Sequence, residues 1–245
     1  MITDASKEVM LNGYKNTTPF SFAVIDNFLF DNKMNDILDD VKKLEISNAD
    51  YKFFDGRWEF NKYGFQSNFD ANLTSVFEYF VSDEFIDLVE KLTGITGIIR
   101  HDLKLKGAGV HRILKDGFLK VHTDFNTYVS DKHGRLDRRI NLLLYLNPNW
   151  KEEYNGHLLL CDRFSQQINY KIAPLLNRCV IFNTSKNSLH GHPEPLHTPD
   201  NVCRESIAIY YYTKNVNNID FEGDPERPTI VFDVNHFDYS HVATI

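Results

Sequence analysis

The sequence predicts an α+β fold in which early helices support a β-sandwich or jelly roll. Three observations carry this. Apolar residues fall at helical spacing over about 33–45, 71–81 and 83–93. From Ile98 onward the pattern changes to short β-prone runs separated by turn residues. Helices early and many strands later are the order expected of that class. No internal repeat or low-complexity linker divides the chain, so one domain is expected over 1–245. Within it, 1–97 would be helical support and lid, 98–213 the jelly-roll core, and 214–245 a C-terminal extension.

The elements follow in order. Residues 1–18 are polar and read as a loose lead-in. Residues 20–25 form an apolar, β-prone run punctuated by Asp26 and Asn27. Asp31 or Asn32 caps the first predicted helix, which turns Met34, Ile37, Leu38 and Val41 to one side. Residues 47–70 are aromatic and turn-rich, and read as loops packed on a core or lining a pocket. Val76, Phe77 and Phe80, then Phe85, Leu88, Val89 and Leu92, make two more helical stripes, with Asp83 a cap and Gly94 a stop for the second. Strands are expected at 98–105, 109–114, 118–124, 139–146, 157–161, 168–172, 178–183, 204–213 and 229–233. The extension after 213 is expected to pack on a sandwich edge, because an uncovered edge strand is a liability.

Composition removes several function classes. A net charge of −7 argues against a nucleic-acid surface, and Arg135, Arg138 and Arg139 are too few for a basic tract. The longest apolar runs are too short to span a bilayer. Cys161, Cys179 and Cys203 are odd in number and lie in or beside apolar runs. They read as buried thiols in a reducing, cytoplasmic setting.

The chemistry centres on His122-x-Asp124. Side chains two apart on a strand leave the same face, so an imidazole and a carboxylate stand side by side. With one more histidine they make a two-histidine, one-carboxylate set with open positions, which suits ferrous iron. His190, His192 and His197 all follow the apolar run 179–183 and its polar loop, so spacing leaves the third ligand open among them. Pro193 holds His192 in extended geometry and leads the chain away, which favours His190. In the run 139–147, Arg139, Asn141, Leu143 and Tyr145 share a face, and its polar members require buried partners. Arg204 enters an apolar strand with Ser206 on the same face. A guanidinium there needs an anion, and its fork matches a carboxylate.

In FLKVHTDFN, RRINLLLYLNPNW, NGHLLL, NRCVIFNTSKNSLHGHPEPL and RESIAIYYYT, over 109–213, the chain resembles the iron- and 2-oxoglutarate-dependent oxygenases, in particular their prolyl-hydroxylase-like branch. The resemblance implies a double-stranded β-helix, a jelly-roll variant, with N-terminal helices on the major sheet. It implies that His122, Asp124 and His190 hold Fe(II). It implies Arg204 on the distal carboxylate of 2-oxoglutarate, with Ser206 and Tyr145 beside it, and Asn141 and Leu159 in the cosubstrate pocket. Gly156-His157 stands where relatives often have Gly-Gly. The implied activity is dioxygen-dependent hydroxylation of an unactivated C–H, with ascorbate a candidate reductant. A prolyl residue of a peptide or protein is the leading substrate, and a free amino acid or other small molecule the alternative. The rival from another class is a metal-containing jelly-roll binding module. No nucleic-acid or membrane partner is expected.

Overall fold

The computed structural model describes residues 1–103, 106–214 and 229–245. The lead-in is not loose. Helix α1 (Asp4–Leu11) is capped by Thr3, whose hydroxyl accepts from the Ser6 N–H at 3.2 Å. Strand β1 (Phe22–Ile25) precedes α2 (Asp31–Val41), which buries Met34, Ile37 and Val41. Phe30 occupies its N-cap, without a side-chain hydrogen bond, instead of Asp31 or Asn32. The aromatic stretch is a hairpin of β2 (Tyr51–Phe53) and β3 (Glu59–Phe65). Helices α3 (Ala71–Phe80) and α4 (Asp83–Thr93) follow. Ser82, not Asp83, caps α4, and Gly94 ends it at φ +71°. Asp83 instead opens the helix, where a carboxylate suits the positive end.

The remaining strands are β4 (Gly109–Thr123), β5 (Thr127–Ser130), β6 (Gly134–Tyr145), β7 (Leu158–Asp162), β8 (Gln167–Ile172), β9 (Cys179–Asn183), β10 (Ser188–His192), β11 (Arg204–Lys214), β12 (Ile230–Val231) and β13 (Ala243–Thr244). Residues 98–105 are not a strand as described: Ile98 makes one bridge to Thr213, and 104–105 lie outside the described residues. The two strands expected over 109–124 are one, bent in the middle. Asn61 of β3 and Asp116 of β4 have φ of 52° and 63°, and the Asn61 amide donates to the Lys115 carbonyl at 2.8 Å. Gly117 is needed at this bend, since a Cβ there would stand 2.7 Å from the Leu114 oxygen.

The strands run β1-β9-β6-β11-β4-β10-β7-β8-β13, antiparallel except for the last pair. The sheet curls on itself as a jelly roll, and β4 serves both halves. Its residues 109–113 pair with β11, while His122 and Leu119 pair with His190 and His192 of β10. Alternation along the strands divides the chemistry. Ile140, Leu142, Leu144, Ile181, Ile207 and Ile209 face the helices in the main core. Asn141, Leu143, Ser206 and Tyr210 face inward and line a cavity. Val234 and Phe237 of the C-terminal segment pack with Val121, Leu159, Cys161 and Leu189 over the outer face of the smaller half. The three cysteines are free, Cys161 and Cys179 buried and Cys203 partly so. Burial pushes the Cys161 thiol up to about 12. Among the described residues, no helix is long and apolar enough to cross a membrane.

Candidate active site

The mouth of the jelly roll holds a cavity of about 350 Å³. His122 and Asp124 leave the end of β4 toward it, and His190 meets them from β10, where it pairs directly with His122. One ligand-type atom from each of the three lies within 4.8 Å of the others, and all three residues are buried. Nδ1 of His122 donates to the Lys120 carbonyl and Nδ1 of His190 to the Ser188 carbonyl, each at 2.9 Å. Those bonds fix the tautomers, so each Nε2 carries a lone pair. Both lone pairs lie 3.5 Å from the Asp124 carboxylate, His122 opposite Oδ1 and His190 opposite Oδ2. Lone pairs aimed at a carboxylate repel it unless a cation sits between them. The donor set therefore fits a divalent metal, and its composition suits ferrous iron.

Electrostatics prepare the site. Burial works against ionisation of Asp124. The Arg138 guanidinium outweighs it, helped by the two imidazoles, and holds the carboxyl well below the usual range. Arg138 Nη2 lies 2.9 Å from Asp124 Oδ2, and the Asn141 amide donates to the same oxygen at 2.8 Å. Asn141 Oδ1 in turn accepts from Arg138 Nε and Nη2. The guanidinium is stacked 3.6 Å from the Tyr210 ring centre. Burial drives His190 down to about 4, which keeps it neutral and able to ligate near neutrality.

The opposite wall carries a second polar cluster. Arg204 and Ser206 line the cavity, and Tyr145 is buried beside Arg204. Arg204 donates to the Gly156 carbonyl at 2.7 Å and to the Tyr145 hydroxyl at 3.3 Å. It is 5% exposed, and among the described residues no acidic group offsets the burial that depresses its pKa. Ser206 pairs with Tyr145 across β6 and with His111 across β4, so His111, Ser206 and Tyr145 form one row.

Two sequence expectations shift by one residue. Leu159 faces away from the cavity, into the outer cluster, and Leu158 lines the cavity instead. The turn before β7 has positive φ at Asn155 (58°) and Gly156 (76°), so the glycine-like pair sits one residue earlier than Gly156-His157. Arg139 does not share the face of Asn141. A bulge in the β6–β11 register, where Tyr211 pairs with Ile140 but Tyr212 with Arg138, turns Arg138 inward. Asn141 lines the cavity as expected, but its amide is bonded to Asp124. His192 also faces the cavity, outside the three-residue cluster, while His197 is exposed. Sequence reasoning missed Arg138, His111 and Lys62 as cavity residues. The alternation Lys62, Gly64 and Gln66 was the available signal for the last.

Residues 108–212 match the family model described as the 2OG-Fe(II) oxygenase superfamily. Comparison with curated proteins finds no match. Similar solved structures include a prolyl-4-hydroxylase from Pseudomonas putida, 11% identical, covering 84% of this chain and 98% of that one, with TM-score 0.60. Another is a prolyl hydroxylase from Trichoplax adhaerens, in complex with a hypoxia-inducible factor peptide fragment. It is 20% identical over 84% of this chain and 88% of that one, with TM-score 0.56. A third is HygX from Streptomyces hygroscopicus, with nickel, 2-oxoglutarate and hygromycin B bound. It is 10% identical over 96% and 100% of the two chains, with TM-score 0.54. At these identities the likeness is one of fold.

Proposed function

We propose that this chain is a 2OG-Fe(II) oxygenase, a reading supported by the match of residues 108–212 to that superfamily, and that it hydroxylates an unactivated C–H, in the first instance on a prolyl residue of a peptide or protein. His122, Asp124 and His190 would hold the iron. Arg204 would take the distal carboxylate of 2-oxoglutarate, with Ser206 and Tyr145 adding hydroxyl donors. When bound, iron couples the oxidative decarboxylation of 2-oxoglutarate by dioxygen to oxidation of the substrate C–H. The chain's own residues do the rest. Arg138 and Asn141 fix the Asp124 carboxylate, and the two backbone carbonyls hold the imidazoles in the ligating tautomer.

One observation carries the cosubstrate reading. Arg204 is a buried guanidinium without an acidic partner among the described residues, and it lines the same cavity as the His-Asp-His cluster. An uncompensated buried cation is costly, and a dicarboxylate that reaches the metal removes the cost. A binding module with a structural metal has no use for such a residue.

The prolyl reading is supported by the fold likeness to prolyl hydroxylases and by the rim. Tyr51, Phe53 and Trp58 line the mouth, and their faces suit a small apolar ring. A cavity of about 350 Å³, shared with a cosubstrate, suits one inserted side chain. Succinate formation with added iron and 2-oxoglutarate, measured first without substrate and then across proline-containing peptides and small metabolites, tests both parts. Stimulation by free amino acids or other small molecules alone would transfer the assignment to that class. No 2-oxoglutarate turnover by iron-loaded protein under any condition would refute the enzymatic reading.

A further inference from the structure

Two residues beyond His190, another imidazole faces the cavity. His192 is 3% exposed, and neither of its ring nitrogens has a hydrogen-bond partner among the described residues. The neighbouring imidazoles are anchored through Nδ1 to carbonyls of their own strands, and His192 is not. It pairs with Leu119 of β4, and the β10–β7 register, His190 to Leu160 and Gly191 to Leu159, brings Leu158 to its other side. Both leucines line the cavity and offer no polar atom. Gly191 lets β10 come this close, since a Cβ there would stand 2.7 Å from the Lys120 oxygen. A third apolar side chain would complete the row at no cost in unmet hydrogen bonds. Buried polar groups are otherwise paired, so an imidazole held here points to a ligand.

The register also says which ligand. Gly156, two residues before Leu158, accepts the Arg204 Nε hydrogen bond at 2.7 Å. Arg204 thus reaches across the cavity to the row next to His192. A neutral imidazole offers one N–H donor and one lone pair. Arg204 and Ser206 converge on the same space from β11.

We propose that His192 donates a hydrogen bond to the distal carboxylate of 2-oxoglutarate beside Arg204, and so sets the preference for a dicarboxylic over a monocarboxylic 2-oxo acid. The proposal rests on the assignment of Arg204 made above. Titration calorimetry of the full chain loaded with Mn(II) tests it without turnover. The probes are 2-oxoglutarate and 2-oxopentanoate, which has the same carbon chain but no distal carboxylate. His192→Leu is expected to weaken 2-oxoglutarate binding about tenfold or more, the loss typical of a bond to a charged group, and to leave 2-oxopentanoate binding nearly unchanged. His192→Gln, which keeps a donor of similar reach, is expected to retain most of the preference. His192→Asn, too short to reach, replaces the leucine variant if that one does not fold. Unchanged 2-oxoglutarate affinity in the loss variant, or equal weakening toward both acids, overturns the proposal. Arg204→Gln is the control. Intact 2-oxoglutarate affinity there removes the underlying assignment, whereas loss there with none in His192→Leu removes His192 alone.

Discussion

Arg204→Met separates stability from cosubstrate binding. In a paired buried ion, loss of one partner costs about 3–5 kcal/mol, because the other charge is stranded. Arg204 strands no charge when it is removed, since no carboxylate faces it among the described residues. What is lost is the 2.7 Å bond to the Gly156 carbonyl and the long bond to Tyr145. An unmet carbonyl costs about 1–3 kcal/mol, and relief of an uncompensated buried cation returns a similar amount or more. The ligand-free variant is therefore expected to melt within a few degrees of the parent, or above it. The parent, loaded with Mn(II) and given 2-oxoglutarate at a hundred times its Kd, gains about 2.7 kcal/mol. For a chain of this size that is roughly 5–11 °C. Arg204→Met is expected to gain almost none of it. Calorimetric melts of both proteins, with and without ligand, give all four values. A variant that melts far below the parent without ligand, or that keeps the parental shift with it, refutes the reasoning.

Other outcomes follow from the same geometry. Iron stoichiometry is expected to collapse in His190→Ala and to stay near that of the parent in His192→Ala, and the reverse pattern would reassign the third ligand. Trp58 lines the cavity with its ring 6.3 Å from that of His122. Trp58→Ala is expected to cut coupled hydroxylation several-fold while the melting temperature moves by only a few degrees, and a collapse in stability with normal residual activity would make the hairpin core. Acidification should destabilise the metal-free protein. Burial holds His190 at about 4 and depresses His111 and His192, so these groups bind protons on unfolding but not while folded. Stability is expected to fall as pH drops from 7 toward 5, by about 1.4 kcal/mol per unit for each fully engaged group. A pH-independent melt in that range would contradict the buried, neutral state of the three rings.

The parts of the site that obey strand alternation were legible in the sequence. Arg204-x-Ser206 stands on one face of a strand, His122-x-Asp124 keeps the same spacing across the end of β4, and both pairs meet the cavity. Departures from alternation were not legible. Nothing in RRINLLLY announces the bulge that brings Arg138 and Asn141, three apart, onto one carboxylate. Leu159 was placed by resemblance alone, and the strand alternation that puts Leu158 on the cavity face instead depends on where β7 begins, after the positive-φ residues Asn155 and Gly156. The β2–β3 hairpin was hidden because its aromatic residues do not alternate cleanly with polar ones. Helix α1 was hidden for a similar reason, as it buries only Ser6 and Met10.

The bend in β4 has a consequence of scale. One covalent run joins Ile113, which pairs with Arg204, to His122, which pairs with His190. The separation between the Arg204 wall and the metal-type cluster is thus written into a single segment of chain, with the Asp116–Gly117 kink as its joint. That segment acts as a gauge for the ligand that spans the two. Deleting one residue near the joint would turn His122 and Asp124 to the wrong face. Deleting two would restore the face but draw the ends together by roughly 7 Å of strand. If Arg204 takes the distal carboxylate as proposed, the chain length of the acid accepted would be tied to the residue count between positions 113 and 122, and loop exchange on the rim would not reset it.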